Sequence, residues 1–374
     1  MSERGLHERM LDIASRCALR GLGRVEPNPM VGCVLGDGAG VVCGIGHHAR
    51  FGGPHAEVEA IASCRRHGNE TRGMTAWVTL EPCSHVGKTP PCASALIDAG
   101  VARVVYVVDD PHEEASGGAR VLRDAGVEVV RVEHAASRLV SMGYLSRECL
   151  GRAFVLAKFA QTSDGYIATG GGESPVISGE CSRRQMHRLR GCFDALLTSI
   201  VTVRADDPLL TVRGVHARRT PARVVIDPEL EIARGSRLVG TRDRAPVILA
   251  CREESLDSSR AGELEEARIT LMGVGGSDEG IDLQELLERL WSEHGIGSVM
   301  TECGEGVLRS LLTGDLVDGV LQYTSAGAIG ATGERLARAP LDVIEAGGRY
   351  PSARMTTRDG DRVTLRVSSR WLSG

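Results

Sequence analysis

Apolar positions along the first 150 residues alternate between helical and strand spacing. Between residues 6 and 17 they recur every three or four positions, which predicts an amphipathic helix. The β-rich runs at 30–35 and 41–45 are separated by Asp37-Gly38 and predict a hairpin. Further strands are predicted at 75–80, 103–108 and 127–132, and helices beginning near His55, Cys92 and Ala119. Strands that alternate with helices predict an α/β fold, in which helices cover a sheet.

A second series of elements begins near residue 154. Strands are predicted at 154–159, 195–198, 223–226, 247–250 and 298–301, and helices at 180–190, at 283–291 and from Val307. The largely polar stretch 252–280 is interpreted as surface excursions. Its Gly273-Val274-Gly275-Gly276 run is interpreted as a surface turn, because it does not complete the dinucleotide-binding pattern G-x-G-x-x-G. We place a boundary near residue 150, which predicts two domains, 1–150 and 151–374, of roughly the usual size.

The composition is that of an ordinary globular protein, with 42% hydrophobic and 25% charged residues. No apolar run approaches the ~20 residues that span a bilayer, and the first residues lack the layout of a signal peptide. We therefore expect a cytoplasmic protein with no membrane partner. A net charge of −5 and only 3% aromatic residues argue against a nucleic-acid partner. The eleven cysteines are odd in number and scattered, unlike a disulfide framework.

The residues that offer the most chemistry are His55, Glu57, Cys83 and Cys92. One imidazole and two thiolates give a zinc ion three protein ligands and leave one position open, as in catalytic zinc sites. We predict that His55 and Cys83 both lie at helix starts, where the helix dipole lowers the pKa of a thiol. Two alternatives stay open. A lone His or Cys is more often a core residue, and His85 as a fourth ligand would make the site closed and structural.

Glu57, two residues after His55, supplies the proton chemistry that such a site needs. Zinc lowers the pKa of a bound water toward ~7, and the Glu57 carboxylate then takes the water proton and returns it to a leaving amine. The pattern predicts hydrolytic removal of ammonia from an amino-substituted ring. Zinc deaminases carry H-x-E followed by P-C-x-x-C, whereas eight residues separate the two cysteines here. A zinc protein that binds nucleic acid and presents bases to the site is the alternative from another class.

Three segments give these residues a family context. Residues 26–33 (EPNPMVGC), 54–59 (PHAEVE) and 79–92 (TLEPCSHVGKTPPC) resemble the bifunctional riboflavin-biosynthesis deaminase–reductases of the RibD type. The wide spacing of the cysteines, with Gly87 and Pro90-Pro91 inside it, is a mark of that family. The resemblance implies a cytidine-deaminase-like α-β-α domain that holds one zinc ion.

The resemblance also implies roles for single residues of this half. His55, Cys83 and Cys92 would be the zinc ligands, Glu57 the proton shuttle, and Asn28 and His48 substrate-binding residues. Lys88, in the loop between the two cysteines, is a candidate contact for a substrate phosphate. A lone lysine is, however, more often simply solvated.

The second half of the chain resembles the reductase half of the same family. The matching segments are Lys158, Ser163-Asp164-Gly165, Gly172-Glu173-Ser174, 202–208 (TVRADDP), 210–213 (LTVR) and the strand–turn–helix at 302–311. The resemblance thus covers essentially the whole chain. It implies a dihydrofolate-reductase-like α/β domain that reduces a ribosyl group to ribityl with NADPH.

The resemblance implies two groups of ligand-binding residues in this half. The substrate positions are Ser174, Arg190, Leu210, Arg213 and Glu302, with Lys158 and Glu302 as catalytic residues. The NADPH positions are Ala160, Val176, Thr202, Asp206 and the turn residues Gly304, Glu305, Gly306, Val307, Leu308, Arg309 and Ser310.

Elementary chemistry supports part of this assignment. Gly304 and Gly306 precede a predicted helix, whose free N–H groups and dipole favour a phosphate. Arg190 and Arg213 offer two-pronged contacts to a substrate phosphate, the alternative being surface ion pairs. Lys158 follows an apolar strand, which suits a buried or cleft-facing ammonium.

Several departures weaken the match to the reductase half. Val176 stands where the family often has Trp, and Pro228 replaces a small polar residue. Cys303 and Glu305 stand in a turn that is usually richer in Gly, and Ser325–Gly330 differs from the family's AP-x-x-x-G.

From the resemblance of both halves, we expect a bifunctional, homo-oligomeric enzyme that acts on a phosphorylated pyrimidine, 2,5-diamino-6-(5-phosphoribosylamino)pyrimidin-4-one. The alternative is a deaminase with a degenerate or scaffolding reductase domain.

Overall fold

Two large sheets, one of five strands and one of nine, organise the chain. The computed structural model describes residues 2–85, 90–168, 178–277, 280–328, 337–345 and 352–372. The chain divides into two compact units, here called unit 1 (Met1–Gly151 with Trp371–Gly374) and unit 2 (Arg152–Arg370). Within the described part, no helix is both long and apolar enough to cross a membrane.

Unit 1 is built on a mixed sheet. Its strands are β1 (Gly32–Gly36), β2 (Val42–His47), β3 (Thr75–Leu80), β4 (Arg103–Val108) and β5 (Glu128–Arg131). They lie in the order β2-β1-β3-β4-β5, with β1 antiparallel to β2 and β3 and the other pairs parallel. Its helices are α1 (Glu3–Ala18), α2 (Ala56–Arg66), α3 (Cys92–Asp98), α4 (Gly118–Asp124) and α5 (Ala135–Leu150). Apolar residues of α2 and α3 share a buried core with the sheet, which fixes where these helices begin.

Helix α2 packs closely on β2 because a glycine removes a side chain from the contact. A Cβ atom on Gly46 would lie 2.1 Å from the carbonyl oxygen of Ala56. No side chain is tolerated at that distance, so the first turn of α2 rests directly on the strand. His55, the N-cap of α2, is thereby held beside His48, which follows the strand.

Unit 2 is built on a larger, mostly parallel sheet. The strands of unit 2 are β6 (Phe154–Gln161), β7 (Tyr166–Ala168), β8 (Ala195–Ser199), β9 (Ala222–Ile226), β10 (Val247–Arg252), β11 (Thr270–Val274), β12 (Gly276–Ser277), β13 (Gly280–Ile281), β14 (Ser298–Thr301), β15 (Gly319–Thr324), β16 (Ala337–Arg338), β17 (Ser352–Thr356) and β18 (Arg362–Val367). Of these, β12 pairs with β13 and β7 pairs with β16 in two small sheets of two strands each. Its helices are α6 (Glu180–Arg190), α7 (Ile200–Asp206), α8 (Arg237–Gly240), α9 (Ser259–Glu266), α10 (Leu283–Ser292), α11 (Glu305–Thr313) and α12 (Leu341–Glu345).

The nine-stranded sheet of unit 2 has the order β11-β10-β9-β8-β14-β6-β15-β18-β17. The strands from β11 to β15 are parallel, and β18 and β17 continue the sheet in antiparallel pairs. Parallel strands bring their carboxyl ends to one edge, which is where ligands bind in open α/β sheets. We therefore expect a ligand-binding site at the loops that follow β6, β8 and β14.

The prediction of surface excursions at 252–280 is wrong for most of that stretch. It contains α9 and the edge strand β11, and Gly273 and Val274 lie within that strand instead of in a surface turn. Only Ala261 and Leu264 are buried in α9. Two apolar positions in a polar helix give too weak a period to be recognised.

Helix α5 and the strands after Thr313 have no counterpart in the sequence prediction. The buried face of α5 includes Ser137, Ser141 and Arg147 beside Val140 and Tyr144. Because polar side chains occupy part of that face, the hydrophobic pattern does not show a helix there.

Candidate active sites

Three side chains of unit 1 converge as a metal-ligand group. His55 precedes α2, Cys83 lies in the loop after β3, and Cys92 begins α3. Their ligand atoms all lie within 4.8 Å of one another. His55 Nδ1 is 3.6 Å from Cys83 Sγ and 3.2 Å from Cys92 Sγ. A tetrahedral zinc ion with bonds of ~2.0–2.1 Å to nitrogen and ~2.3 Å to sulfur needs a separation of about 3.6 Å. The three ligand atoms are therefore close enough together to bind one zinc ion.

The prediction that Cys83 lies at a helix start is wrong. The helix begins at Cys92, whose backbone N–H donates to Cys83 Sγ at 3.3 Å. The Cys83 sulfur thus still receives the positive end of a helix. Hydrogen bonds from the Cys92 thiol and from His55 outweigh burial and lower the pKa of the Cys83 thiol. The backbone N–H of Cys92 and the neighbouring His55 ring thus both favour the ionised form of the Cys83 thiol.

A buried carboxylate, Glu81, holds the loop that carries Cys83. Its oxygens accept hydrogen bonds from two backbone N–H groups of segment 110–119, at 3.2 and 2.9 Å. Gly118 packs so closely that a Cβ there would lie 1.7 Å from the carbonyl oxygen of Pro82. These contacts hold the backbone around Cys83 in a loop, so that no helix begins there. Sequence reasoning missed Glu81, although its place directly before the Pro-Cys pair was an available signal.

Glu57 is the buried carboxyl group of this site. It lies in the first turn of α2, and only 3% of its surface is exposed. Burial raises the pKa of Glu57 to about 7, and the negative charge of Cys83 adds to the effect. A carboxyl group with a pKa near neutrality can both accept and return a proton.

Asn28 and His48 lie beside the metal-ligand group. The His48 ring is buried, and its centroid is 5.1 Å from that of His55. Asn28 Nδ2 donates to His48 Nε2 at 3.3 Å, which leaves His48 Nδ1–H to donate to the carbonyl oxygen of Pro54 at 2.9 Å. These bonds define one neutral tautomer, in agreement with the lowering of the His48 pKa by burial. The structure thus brings Asn28, His48 and the three ligands together.

Two other candidates of unit 1 have different outcomes. Lys88 lies outside the described residues. His85 is not part of the metal-ligand group found among the residues that the structure describes. Its Nδ1 is buried and has no hydrogen-bond partner there. The closed four-ligand alternative therefore has no support in the geometry.

In unit 2, Arg190 and Glu302 form a largely buried, two-pronged ion pair, with side chains that are 8% and 14% exposed. Arg190 Nε donates to Glu302 Oε1 at 2.6 Å, and Nη2 donates to Oε2 at 2.8 Å. The fork of Arg190, which we expected to hold a substrate phosphate, is thus occupied by Glu302, because a buried carboxylate needs a paired charge. Arg213 is exposed and near enough to sense the charges of this pair. Of the two arginines, Arg213 is better placed for a phosphate.

Lys158 lies within β6, not after it, and close to the same ion pair. Its ammonium is 5.9 Å from the ring centroid of Tyr323. Burial lowers the pKa of Lys158, and Glu302 counteracts that effect. Burial by itself would raise the pKa of Glu302, but Lys158 and Arg190 outweigh it and hold this pKa below its usual range. Glu302 is therefore an ionised carboxylate facing two cations.

Sequence reasoning missed two residues of this centre, His187 and Tyr323. His187 Nδ1 accepts the backbone N–H of Arg213 at 3.3 Å, and burial lowers the pKa of His187. Tyr323 is 1% exposed, and its hydroxyl donates to Gln185 Oε1 at 3.2 Å. The position of His187, one helical turn before Arg190, was the available signal. No strand was predicted around Tyr323, so nothing in the sequence pointed to it.

The turn before α11 keeps its suitability for an anion. The helix begins at Glu305, two residues earlier than predicted, with Gly304 as N-cap. Glu305 Oε1 accepts from Arg309 Nε at 2.7 Å, and Arg309 also pairs with Asp342 at 3.0 Å. The negative charge of Glu305, one of the departures from the family pattern, is therefore paired. Burial raises the pKa of the Cys303 thiol to about 12, so this side chain stays neutral.

The remaining reductase candidates are spread over several elements. Ala160 is near the end of β6, Thr202 and Asp206 lie in α7 directly after β8, and Gly306, Val307 and Ser310 lie in α11. The side chain of Leu308 packs in the hydrophobic core of unit 2, away from solvent. Leu210 is buried and has a φ of 45°. Ser174 and Val176, with part of Ser325–Gly330, lie outside the described residues.

Matches to known proteins cover both units of the chain. The family model of the RibD C-terminal domain matches residues 153–344, and that of the cytidine and deoxycytidylate deaminase zinc-binding region matches residues 5–108. The riboflavin biosynthesis protein RibD of Aquifex aeolicus is 35% identical over 329 residues, 87% of this chain and 89% of that protein. RibD of Escherichia coli is 35% identical over 341 residues, again 87% and 89%.

Two solved structures match nearly the whole chain. RibD of Acinetobacter baumannii has a TM-score of 0.79 at 29% identity and covers 98% of this chain and 99% of its own. The second is a diaminohydroxyphosphoribosylaminopyrimidine deaminase/5-amino-6-(5-phosphoribosylamino)uracil reductase from Thermotoga maritima. It has a TM-score of 0.79 at 30% identity and covers 98% and 100%.

The fold and the family matches define an enzyme that joins a deaminase unit to a reductase unit. The chain belongs to the RibD family of bifunctional deaminase–reductases of riboflavin biosynthesis. The predicted family, α/β fold class and bifunctional activity are thereby confirmed. The comparisons give no support to the alternative of a scaffolding second domain.

Proposed function

We propose that the deaminase site acts on 2,5-diamino-6-(5-phosphoribosylamino)pyrimidin-4-one. Water replaces one ring amino group as ammonia, which gives 5-amino-6-(5-phosphoribosylamino)uracil. The reductase site then adds a hydride from NADPH and a proton to the ribosyl group, which opens to ribityl. The observation that carries the proposal is the grouping of His55, Cys83 and Cys92 with a buried Glu57.

A zinc ion suits the deaminase site because the donor set is one nitrogen and two sulfurs at tetrahedral spacing. When bound, zinc would supply a Lewis acid that lowers the pKa of water toward ~7. Glu57 takes the proton from the attacking water and delivers it to the departing amine. Glu57 is buried in the first turn of α2, two residues after His55, which places its carboxyl group at the site where both transfers occur.

We assign Asn28 and His48 to holding the pyrimidine ring. Their mutual hydrogen bond and the bond from His48 to Pro54 fix both side chains before substrate arrives. A group that is already oriented loses less freedom on binding, so more of the contact energy goes into positioning. Lys88 remains a candidate for the substrate phosphate.

In the reductase site, we assign Lys158 to supplying the proton that the opening sugar ring takes up. Burial lowers the pKa of this ammonium, which makes it a better proton donor. The negative charge of Glu302, which its two cationic neighbours keep ionised, stabilises the charged form of Lys158 before the proton is transferred. Arg213 is assigned to the substrate phosphate.

The start of α11 is the proposed contact for a phosphate of NADPH. Gly304 and Gly306 have open space around them, and the first N–H groups of a helix favour anions. Ala160, Thr202 and Asp206 are assigned to the same cofactor. A cytoplasmic location and a homo-oligomeric state stay predictions.

Ammonia release from three substrates tests the proposed specificity. We expect turnover of the phosphoribosylaminopyrimidine and little or none of cytidine or deoxycytidylate. Preferential deamination of cytidine or deoxycytidylate by the purified protein would contradict the proposal.

A further inference from the structure

Helix α5 contributes two buried polar side chains, Tyr144 and Arg147, to the region around the deaminase site. They are 8% and 4% exposed. Three residues apart on a helix, they lie on one face, and the Arg147 guanidinium is 5.9 Å from the centroid of the Tyr144 ring. We call these two residues the α5 tether. Neither is part of the metal-ligand group or of the residues assigned to substrate.

Arg147 holds the substrate side of the site. Its Nη2 donates to the carbonyl oxygen of Pro27 at 2.6 Å, and its Nη1 donates to the carbonyl oxygen of Gly143 in its own helix at 2.9 Å. Pro27 directly precedes Asn28, whose side chain bonds to His48. The turn that presents Asn28 is thus fastened to α5 by a short, charged hydrogen bond.

Tyr144 holds the metal side of the site. Its hydroxyl donates to Asp110 Oδ1 at 2.7 Å, and the backbone N–H of Asp110 donates to Glu81 Oε2 at 3.2 Å. Glu81 stands two residues before Cys83 and fixes the loop of that ligand. The chain of contacts therefore runs from α5 through Asp110 and Glu81 to the Cys83 loop.

We propose that the α5 tether positions the Asn28 turn and the Cys83 loop relative to each other, so that the pyrimidine ring meets the metal site in the geometry of reaction. Both residues are positioning residues, since neither is assigned a contact to substrate or metal. The inference rests on the proposed function of this site. It extends that function to a helix that the sequence pattern does not reveal.

If the α5 tether positions the reacting groups, its loss should lower the rate of ammonia release without changing zinc binding. A displacement of about 1 Å between reacting groups costs roughly 10²-fold in rate. We expect Arg147→Met to lower kcat/KM for ammonia release roughly 10- to 100-fold with zinc content unchanged, and Arg147→Lys to restore part of it. Arg138→Met is the matched control, because Arg138 lies on the same helix and its Nε donates to the carbonyl oxygen of Trp371 at 3.3 Å.

A double-mutant cycle with Asn28 tests whether Arg147 acts through the Asn28 turn or only supports the fold. If Arg147 acts through Asn28, then Arg147→Met should cost little in an Asn28→Ala background, because the turn no longer presents its amide. Equal losses of kcat/KM in both backgrounds would overturn the proposal. Tyr144→Phe, which keeps the ring and removes only the hydroxyl, tests the metal side if Arg147→Met fails to fold.

Hydrogen exchange of the resting protein gives a readout that does not depend on the substrate. Arg147→Met should speed exchange in segment 25–29, where the Asn28 N–H donates to Val25, and Tyr144→Phe should speed it in segment 81–84. Unchanged exchange in both segments would contradict the tether whatever the activity. Faster exchange in a protein that does not deaminate the phosphoribosylaminopyrimidine would instead contradict the proposed function and leave the tether supported.

Discussion

Glu57 combines two properties that a proton carrier needs: it is buried at the metal-ligand group, and its pKa is raised to about 7. Burial is the main cause, so the property belongs to the position at the start of α2 and not to the residue type. Glu59 lies two residues further along the same helix, is partly exposed, and offers a comparison with Glu57.

Glu57→Gln should abolish most ammonia release because the amide keeps the size of the side chain and cannot carry the proton. General acid–base catalysis contributes roughly 10²- to 10⁴-fold, and we expect a loss of that order with zinc still bound. NADPH oxidation with the deaminated intermediate should be unchanged, and Glu59→Gln should resemble the wild type. Loss of both activities in a folded Glu57→Gln protein would refute the assignment.

We expect Glu302 to give the proposed reductase site a dependence on pH. Lys158 and Arg190 hold the pKa of this buried carboxyl below its usual range. Removing one cation must raise that pKa, so that Glu302 becomes protonated at a higher pH. Arg190→Gln should therefore move the acid limb of the kcat/KM profile for reduction toward neutral pH.

The matched control for this profile is Arg188→Gln, since Arg188 lies on the same helix and is exposed. Its acid limb should coincide with that of the wild type. If Arg190→Gln lowers the rate equally at every pH, then Glu302 is not the group that sets the limb.

At the scale of elements, the helix start at α11 shows how a departure from the family pattern can be compensated within one turn. Glu305 and Arg309 are four residues apart, and their ion pair neutralises the charge next to the proposed phosphate contact. The macrodipole of the helix therefore still favours an anion at this helix start, as it would without the charge of Glu305.

Arg309→Met should weaken NADPH binding because it leaves Glu305 as an unpaired negative charge near the phosphate. A charge at a helix end is worth about 0.3–1 kcal/mol, so the KM for NADPH should rise roughly two- to five-fold. Glu305→Gln combined with Arg309→Met should return it to the starting value. A double variant as weak as Arg309→Met would show that Glu305 does not face the cofactor.

The two strands whose bounds were predicted correctly each form one nearly continuous apolar run. Strands at 75–80 and 103–108 and the helix at 180–190 have the bounds that were expected. Cys83 was misplaced because the contacts that keep its loop extended come from segment 110–119, which is distant in the chain. Helix α5 was missed because part of its buried face is polar.

Site residues could likewise be predicted only where the signal is local in the sequence. The metal-ligand group could be predicted because the ligand types and a family motif are local in sequence. The pairing of Arg190 with Glu302 could not, since it joins residues 112 positions apart that only the sheet brings together. Tyr323 enters the site through a strand that no pattern indicated.

At the scale of the whole molecule, each activity has its own sheet and its own group of polar residues. The metal-ligand group lies in unit 1, and the Lys158–Glu302 centre lies in unit 2. The two chemistries therefore share a chain without sharing a described residue.

Cys83→Ser should separate the two activities. The weaker donor lowers zinc affinity, so we expect reduced zinc content and loss of ammonia release. Oxidation of NADPH with the deaminated intermediate should continue at the wild-type rate. A parallel loss of reductase activity in the folded variant would show that zinc also supports unit 2.

Mass spectrometry of the products formed from 2,5-diamino-6-(5-phosphoribosylamino)pyrimidin-4-one distinguishes the two proposed reactions in one experiment. Without NADPH, we expect a single product heavier by about one mass unit, from the exchange of NH2 for OH. With NADPH, we expect a further gain of about two mass units, from the hydride and the proton. An unchanged substrate, or a product that stays at the first mass in the presence of NADPH, would contradict the proposed function.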